Sequence, residues 1–253
     1  MKIAFLHLAP NTGDVEFNRS LVQRGIRVAT SSGAGWILTP ELCVCGYGFA
    51  DGIGTEWILP QPDSWMTELC RIAGQARATV FVSHPERDGQ TGRLHNSVFV
   101  IAANGTIIGR QRKINVLAGS ESWSSPGEDA RPILVDGTSV GVVICADVCS
   151  RRIYERLKMQ GAQILVSAAS WGPGPYEPNG EWEQCARDTG LPLLVCNRTG
   201  PDRTLSFVGA ESVVVQDGQR ILSFQSERSA VLTIEWDLVS QSLIEPTGQS
   251  LFL

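Results

Sequence analysis

The chain has 253 residues, of which 43% are hydrophobic and 19% are charged, and its formal net charge is −5. This length is common for one α/β sandwich or barrel, and the apolar content can bury a large core, so we expect one domain over residues 1–253. The acidic balance does not fit a nucleic-acid partner, which needs a basic face. No stretch approaches the roughly 18 apolar residues of a membrane helix, so no membrane partner is expected.

The cysteines indicate a reducing compartment. There are seven of them, an odd number, and most lie in apolar runs, so free buried thiols in a cytoplasmic protein fit better than a disulfide framework. Cys43 and Cys45 form a C-x-C pair, but no second pair or histidine cluster completes a zinc site. The three histidines (His7, His84 and His95) are scattered and are interpreted as structural. We therefore expect no metal.

In the first half of the chain, short apolar strands alternate with helical patterns. The predicted elements are a strand Lys2–Leu8, a helix Asp14–Thr30 capped by Asp14, a strand Gly35–Thr39, a helix Ser64–Ala78 and a strand Thr79–Ser83. A hairpin follows, because the β-rich runs Leu94–Ala103 and Thr106–Gln111 are separated only by Asn-Gly.

The second half contains further apolar strands and one clear helix. The predicted elements are a strand Ser139–Ile144, a helix Ser150–Gln160 ended by Gly161, and strands Gln163–Ser167 and Leu191–Cys196. Three closing runs, Ser212–Gln216, Ile221–Phe224 and Ala230–Trp236, are predicted to form a terminal meander. Continuous apolar strands together with hairpins indicate a large mixed sheet, or two stacked sheets, covered by helices.

Three polar residues stand where strands end. Cys145 follows a doubly buried strand and precedes a helix that Ser150 can cap, a setting whose free N–H groups and helix dipole favour a thiolate and can bind an oxyanion. Glu41 lies between apolar neighbours, which should raise its pKa and suit proton transfer. Lys113 ends the hairpin and can hold an oxyanion.

Each of these residues also has a simpler interpretation. Cys145 can be one more buried thiol, and Glu41 a surface glutamate in a loop. Lys113 can be one charge of the solvated run Arg110-Gln111-Arg112-Lys113. Local pattern alone does not decide between these interpretations.

Taken together, the segments resemble the nitrilase superfamily, the carbon–nitrogen hydrolases, through nearly the whole chain. Three blocks carry the resemblance in the family's order: Thr39-Pro40-Glu41 with Gly46-Tyr47; His95-Asn96-Ser97 with the Asn104-Gly105 turn and Arg112-Lys113; and Gly141-Val142-Val143-Ile144-Cys145 with Asp147. Trp171, Trp182 and Asn197-Arg198-Thr199-Gly200 also fall in family order. Each block alone is weak, but three in order form a specific signal.

The resemblance implies an α/β (α+β) fold, a four-layer α-β-β-α sandwich of the nitrilase-superfamily type. It implies a catalytic triad of Glu41, Lys113 and Cys145, with an oxyanion hole made by Lys113 and the backbone N–H of Ala146. Glu121 occupies the place of a second family glutamate that orients the lysine or the substrate. Family members use no metal or organic cofactor, and they commonly form homodimers or higher homo-oligomers.

The expected activity is hydrolysis of a non-peptide, amide-type carbon–nitrogen bond of a small molecule through a cysteine thioester. Tyr47 and Trp171, with Trp123 and Trp182, are candidate aromatic walls of the substrate pocket. Ala146-Asp147 stands where nitrile-hydrolysing members usually carry Trp-Glu, which favours an amide over a nitrile.

Several alternatives remain open from the sequence. They are an amide- or acyl-transferase on the same scaffold, a nitrile hydrolase, a non-catalytic small-molecule binding protein, and a thiol redox protein using Cys43 and Cys45. A departure from the family also stands near a later helix. Cys185-Ala186-Arg187-Asp188 replaces the usual Arg-Ala-x-Glu, which affects the expected helix packing or dimer contacts more than the triad.

Overall fold

The computed structural model describes residues 1–175, 177–245 and 248–253. Its helices are α1 (Val15–Ser31), α2 (Phe49–Ile53), α3 (Ser64–Ala76), α4 (Arg151–Met159) and α5 (Glu181–Thr189), with a 3-10 helix at Cys145–Cys149. No helix in this described part is both long and apolar enough to span a bilayer.

The strands, in chain order, are β1 (Lys2–His7), β2 (Ala34–Leu38), β3 (Thr79–Arg87), β4 (Leu94–Ile101), β5 (Ile107–Arg112), β6 (Ile133–Val135), β7 (Thr138–Ile144), β8 (Ile164–Ala169), β9 (Leu193–Asn197), β10 (Pro201–Asp202), β11 (Leu205–Ser206), β12 (Ser212–Gln216), β13 (Gln219–Phe224), β14 (Ala230–Asp237), β15 (Ser242–Leu243) and β16 (Gln249–Phe252).

Two mixed sheets form the centre of the molecule. The first sheet has the order β15-β14-β1-β2-β3-β4-β5, with β16 also paired to β14, and the second has the order β13-β12-β9-β8-β7-β6. The strands β1, β2 and β3 are mutually parallel, as are β7, β8 and β9. The carboxyl ends of these parallel strands therefore gather at common sheet edges, where ligand sites of open α/β sheets commonly lie.

Three apolar clusters separate four layers. One cluster packs α1 and α3 on the outer face of the first sheet, through residues such as Leu21 and Leu69. The second lies between the two sheets and includes Trp36 and Val142. The third packs α4 and α5 on the second sheet, through residues such as Leu157. The predicted four-layer α-β-β-α arrangement is confirmed.

Local chemistry explains where the helices of the first layer begin. The Asp14 carboxylate accepts a hydrogen bond from the backbone N–H of Phe17 (3.1 Å), and Asp63 accepts one from Met66 (2.8 Å), so each helix has the side-chain cap that its first turn needs. Ser150, expected to cap α4, makes no side-chain capping bond; α4 instead continues directly from the 3-10 helix.

The predicted terminal meander is wrong in its last strand. β12 and β13 form the expected antiparallel hairpin in the second sheet. β14, however, crosses to the first sheet and pairs antiparallel with β1, Phe5 lying opposite Leu232. Both sheets are buried on their inner faces, so an apolar strand such as β14 can belong to either sheet. The sequence alone therefore does not show which sheet it joins.

Other strands also differ from prediction. β3 does not end at Ser83 but continues through Pro85 to Arg87. Strand β2 pairs only with Thr79–Phe81, so Pro85, which lacks an N–H, sits where β3 has β4 alone as its neighbour. The short strands β6, β10, β11, β15 and β16 and the short helix α2 were not predicted, because segments of two to five residues carry too little periodicity.

The unusual α5 sequence is compatible with tight packing. Cys185 and Ala186 are fully buried against the second sheet. Asp188 accepts a hydrogen bond from the Tyr154 hydroxyl (2.7 Å), which joins α5 to α4, and Arg187 donates to the carbonyl oxygen of Gly218 (2.9 Å). The departure from the family pattern therefore leaves the helix layer intact.

Candidate active site

Glu41, Lys113 and Cys145 each follow a strand end on the same side of the two-sheet sandwich. Glu41 follows β2, Lys113 follows β5 and Cys145 follows β7. β5 runs in the same direction as β3 because both are antiparallel to β4, so its carboxyl end points to the same edge. The fold thereby gathers residues that are far apart in sequence.

Lys113 and Glu41 form a fully buried ion pair, with 2.7 Å between Nζ and Oε1. Nζ also donates to Glu121 Oε1 at 2.6 Å, so two carboxylates hold one ammonium. The interpretation of Lys113 as a solvated surface charge is therefore wrong. An ammonium has three N–H donors, so one remains for a third partner.

Asn96 and Glu121 complete this polar cluster. The Asn96 side-chain amide donates to Glu41 Oε1 (2.8 Å) and to Glu121 Oε1 (3.1 Å). Glu121 Oε2 accepts from the backbone N–H of Leu117 (2.9 Å). Asn96 belongs to a block that carried the resemblance, yet sequence reasoning gave it no role, since a strand asparagine alone does not identify its partners.

The other carboxylate oxygen of Glu41 is not tied into this network. Among the described residues, buried Glu41 Oε2 has no hydrogen-bond partner, and neither has the side-chain oxygen of Asn96. Burial raises the pKa of Glu41 to about 7, although the Lys113 ammonium lowers it. A carboxyl group that titrates near neutrality and has a free oxygen is equipped to take and return a proton.

Cys145 occupies a strained turn between β7 and the 3-10 helix. Its φ of 46° is in the left-handed region, which non-glycine residues seldom adopt and which recurs at functional sites. Its Sγ points at the carbonyl oxygen of Ser170 (3.8 Å), and the Ser170 hydroxyl donates to the carbonyl oxygen of Glu41 (3.0 Å). Ser170, at the end of β8, thus connects the segments of the thiol and the carboxylate.

The expectation that this turn favours a thiolate is not met. Burial and the neighbouring Glu41 carboxylate raise the pKa of the Cys145 thiol well above its usual range, and the lowering effect of Lys113 does not cancel them. Burial lowers the pKa of Lys113, but Glu41, Cys145 and Glu121 outweigh it and hold that pKa well above the usual range. The site therefore holds a neutral thiol beside a permanent cation.

Asp147 fastens the cysteine turn to the segment that carries Lys113. Its Oδ1 accepts from the backbone N–H groups of Ile114 (3.0 Å) and Asn115 (2.7 Å), and its Oδ2 accepts from Ile144 (3.0 Å). The Asn115 side chain in turn donates to the carbonyl oxygen of Ala146 (2.7 Å). These bonds hold the Ala146 peptide between the two chain segments.

Cys145 and Ala146 open into a cavity of about 720 Å³. Tyr47 and Trp171, the two predicted substrate-binding residues, line it, and so do Leu117, Cys149 and Phe207. Trp123 and Trp182 are not among its described lining residues: Trp123 packs against Phe49 (ring centroids 4.9 Å apart), and Trp182 lies behind Trp171 (5.6 Å). Their prediction as walls of this pocket is wrong.

A second buried ion pair holds the backbone of Tyr47, one of the residues that line the cavity. Arg198 and Asp202 are paired and both are buried. Asp202 also accepts from the backbone N–H groups of Tyr47 (2.7 Å) and Gly48 (2.9 Å), and the Tyr47 hydroxyl is 3.0 Å from the hydroxyl of Ser120. Sequence reasoning placed Arg198 in family order but did not identify this support.

Within the described residues, no group of three or more His, Cys, Asp or Glu side chains is arranged to hold a metal ion. The ionisable groups around Cys145 are instead occupied with one another, as two carboxyl groups share Lys113.

Comparisons with known proteins agree on the family. A probable nitrilase from Schizosaccharomyces pombe is 25% identical over 241 residues, covering 93% of this chain and 88% of that protein, and an N-carbamoylputrescine amidase from Solanum lycopersicum is 24% identical, covering 90% and 83%. Among solved structures, an amidase from Nesterenkonia sp. AN1 superposes with a TM-score of 0.82 at 22% identity, covering 95% of this chain and 94% of that one. The sequence profile of the carbon-nitrogen hydrolase family matches residues 2–243, and the chain therefore belongs to the carbon–nitrogen hydrolases of the nitrilase superfamily.

Proposed function

We propose that the protein hydrolyses an amide-type carbon–nitrogen bond of a small molecule, with Cys145 as nucleophile, Glu41 as general acid and base, and Lys113 as oxyanion donor. The observation that carries this proposal is the buried Glu41–Lys113 pair (2.7 Å), which lies close enough to the Cys145 thiol to shift its pKa, while Cys145 itself lines the cavity. A positioned base, a cation and a nucleophile are the parts that acyl transfer needs.

In the first half-reaction, Glu41 takes the Sγ proton while Sγ attacks the substrate carbonyl carbon. The high thiol pKa means that proton transfer accompanies the attack instead of preceding it. The free N–H of Lys113 and the backbone N–H of Ala146 hold the oxyanion. The carbon–nitrogen bond then breaks, Glu41 returns the proton to the leaving amine, and a thioester remains on Cys145.

In the second half-reaction, Glu41 takes a proton from water as the water attacks the thioester. The carbon–sulfur bond breaks, the carboxylic acid leaves, and the proton returns to Sγ. The same residue serves in both halves because its Oε2 is free and its pKa, about 7, lies near neutral pH.

We assign Glu121 and Asn96 to orientation. Both are buried and contact the Glu41–Lys113 pair within 3.1 Å. Each can therefore fix the position of Lys113 or Glu41.

The amide class is supported by two observations. The position after Cys145 is Ala146, and the next residue, Asp147, is committed to three backbone N–H groups. The structurally similar Nesterenkonia amidase is described with adducts at its active-site cysteine and in a complex with butyramide, so a comparable scaffold accepts simple amides.

The test is a panel of amides, ureas and N-carbamoyl compounds assayed for released ammonia or amine, with one primary amide matched to its nitrile. We expect turnover of the amide and not of the nitrile, and none with Cys145→Ala. Adding hydroxylamine as an acceptor separates hydrolysis from transfer: a transferase would form hydroxamate in place of the acid. Acid formation from the nitrile in preference to the amide would contradict the amide assignment.

A further inference from the structure

The charges around the active-site cavity have one sign. Of the described residues that line it, beyond the catalytic groups, the charged ones are Glu177 and Glu181, and no lysine or arginine is among them. Glu177 is exposed, and Glu181 begins α5. A cleft lined by charges of one sign concentrates ligands of the opposite sign.

Three arginines near the lining residues in sequence or next to Trp171 do not add a positive charge to the cavity lining. Arg198 is buried and paired with Asp202. Arg220, which lines a small cavity beyond Trp171, is paired with Glu183 (2.9 Å) and with Glu211. Arg203, which directly precedes the lining residue Thr204, is exposed, and its side chain runs toward Gly48 and Gly52 on the α2 side. None of these three guanidinium groups lines the active-site cavity.

The positive end of α5 does not reverse this balance. A helix N-terminus attracts anions through its free N–H groups. Here Glu181 Oε2 already accepts from the backbone N–H of Asn179, and Glu183 stands in the same first turn. The helix thus supplies its own carboxylate, that of Glu181, at the cavity.

The cavity also has room for more than the reacting amide. Its volume of about 720 Å³ falls in the range of pockets that hold drug-sized ligands. Its lining includes the apolar and aromatic side chains of Leu117, Trp171 and Phe207. A substrate bound at Cys145 that fills this space can contact both these apolar side chains and the two glutamates.

We propose that the active site selects amides that carry a positive charge at the end of an apolar stem and discriminates against those with a carboxylate there, with Glu177 and Glu181 as the specificity-determining residues. This proposal rests on the proposed amide hydrolysis and adds the substrate class to it. Both glutamates lie in the segment between β8 and α5 or at the start of α5, so they can change without altering the catalytic cluster.

The experiment uses three primary amides with the same stem of four methylene groups. One ends in an amine (5-aminopentanamide), one in a methyl group (hexanamide) and one in a carboxylate (the monoamide of adipic acid). We expect kcat/KM for ammonia release to be highest for the amine and at least about tenfold lower for the carboxylate. The ratio should shrink as salt is added, because the glutamates are near solvent.

The decisive variant is Glu177→Gln with Glu181→Gln, which keeps shape and removes both charges. The amine-to-carboxylate ratio should fall to within about threefold of one. The control is Glu16→Gln with Glu227→Gln, two exposed residues away from the cavity, which changes net charge equally and should leave the ratio unchanged. A wild-type ratio near one, a preference for the carboxylate, or a ratio that survives the double variant would overturn the proposal.

Binding to the Cys145→Ala protein, measured by calorimetry with the same three amides, separates the two levels of inference. If no amide is hydrolysed by the intact protein but the amine-ended one binds at least tenfold more tightly than the carboxylate, the charge selection holds and amide hydrolysis is wrong. If hexanamide is hydrolysed by the intact protein and all three amides bind the variant equally, amide hydrolysis holds and the charge selection is wrong.

Discussion

Lys113 Nζ lies 2.7 Å from Glu41 Oε1, and neither side chain is reached by solvent. Isolated buried charges are costly, so a pair of this kind persists where its geometry is good and its remaining polar atoms have partners. Glu121 and Asn96 supply such partners, while Glu41 Oε2 has none among the described residues. This unpartnered carboxylate oxygen is the one assigned to proton transfer.

Glu41→Gln and Lys113→Met should have separable effects on thioester formation. Glu41→Gln keeps the shape and removes the base, so both half-reactions should slow by on the order of 10²-fold or more. Lys113→Met removes the cation and keeps most of the stem, so acylation should slow by on the order of 10²-fold, with substrate binding less affected. Single-turnover mixing with mass detection of the Cys145 adduct measures both. Adduct formation by Lys113→Met at the normal rate would show that Lys113 is not the oxyanion donor.

The pH dependence should report Glu41. Burial raises its pKa to about 7, and only the ionised carboxylate can accept the thiol proton, so activity should be lost as pH falls through 7. With an uncharged amide, kcat/KM should rise about tenfold per pH unit below that value and level off above it. The residual rate of Glu41→Gln should lack this inflection. A profile that stays flat down to pH 5 would mean that the base is another group.

Alkylation should separate the nucleophile from its exposed neighbour. Cys149 lines the same cavity and is exposed, while Cys43, Cys45, Cys185 and Cys196 are buried. With a small haloacetamide at near-stoichiometric dose, we expect labels on Cys145 and Cys149, and loss of activity in step with the Cys145 label. Mass spectrometry of the Cys149→Ser variant follows labelling of Cys145 over time without a second label in the same cavity. Inactivation of that variant without label on Cys145 would refute the assignment.

Asp202→Asn should destabilise the fold strongly. The substitution leaves Arg198 buried without its carboxylate and weakens the bonds to Tyr47 and Gly48, and breaking a buried pair costs about 3–5 kcal/mol of unfolding free energy. Urea denaturation measures the change. Glu68→Gln, which breaks the exposed pair with Arg71, should change the midpoint little and serves as the control. Equal midpoints for the two variants would contradict this account.

The sequence by itself determined the strands that carry the site and the residues at their ends. Runs such as Val140–Ile144 are apolar at every position, which requires burial on both faces, and a polar residue that follows such a run stands at a sheet edge. Three blocks in the right order then made the Glu41–Lys113–Cys145 interpretation specific, and the four-layer arrangement followed from the family resemblance and is confirmed.

Only the tertiary structure decided which side chains meet and which protons they hold. The Glu41–Lys113 contact spans 72 residues, and the Asn96, Glu121 and Ser170 contacts depend on strand order and register that no local pattern encodes. The thiol pKa was misjudged because the helix-end effect is local and readable from sequence, whereas burial is a property of the packed molecule. Long-range packing likewise decides to which sheet β14 belongs and which residues, such as Trp171 and Phe207, line the cavity.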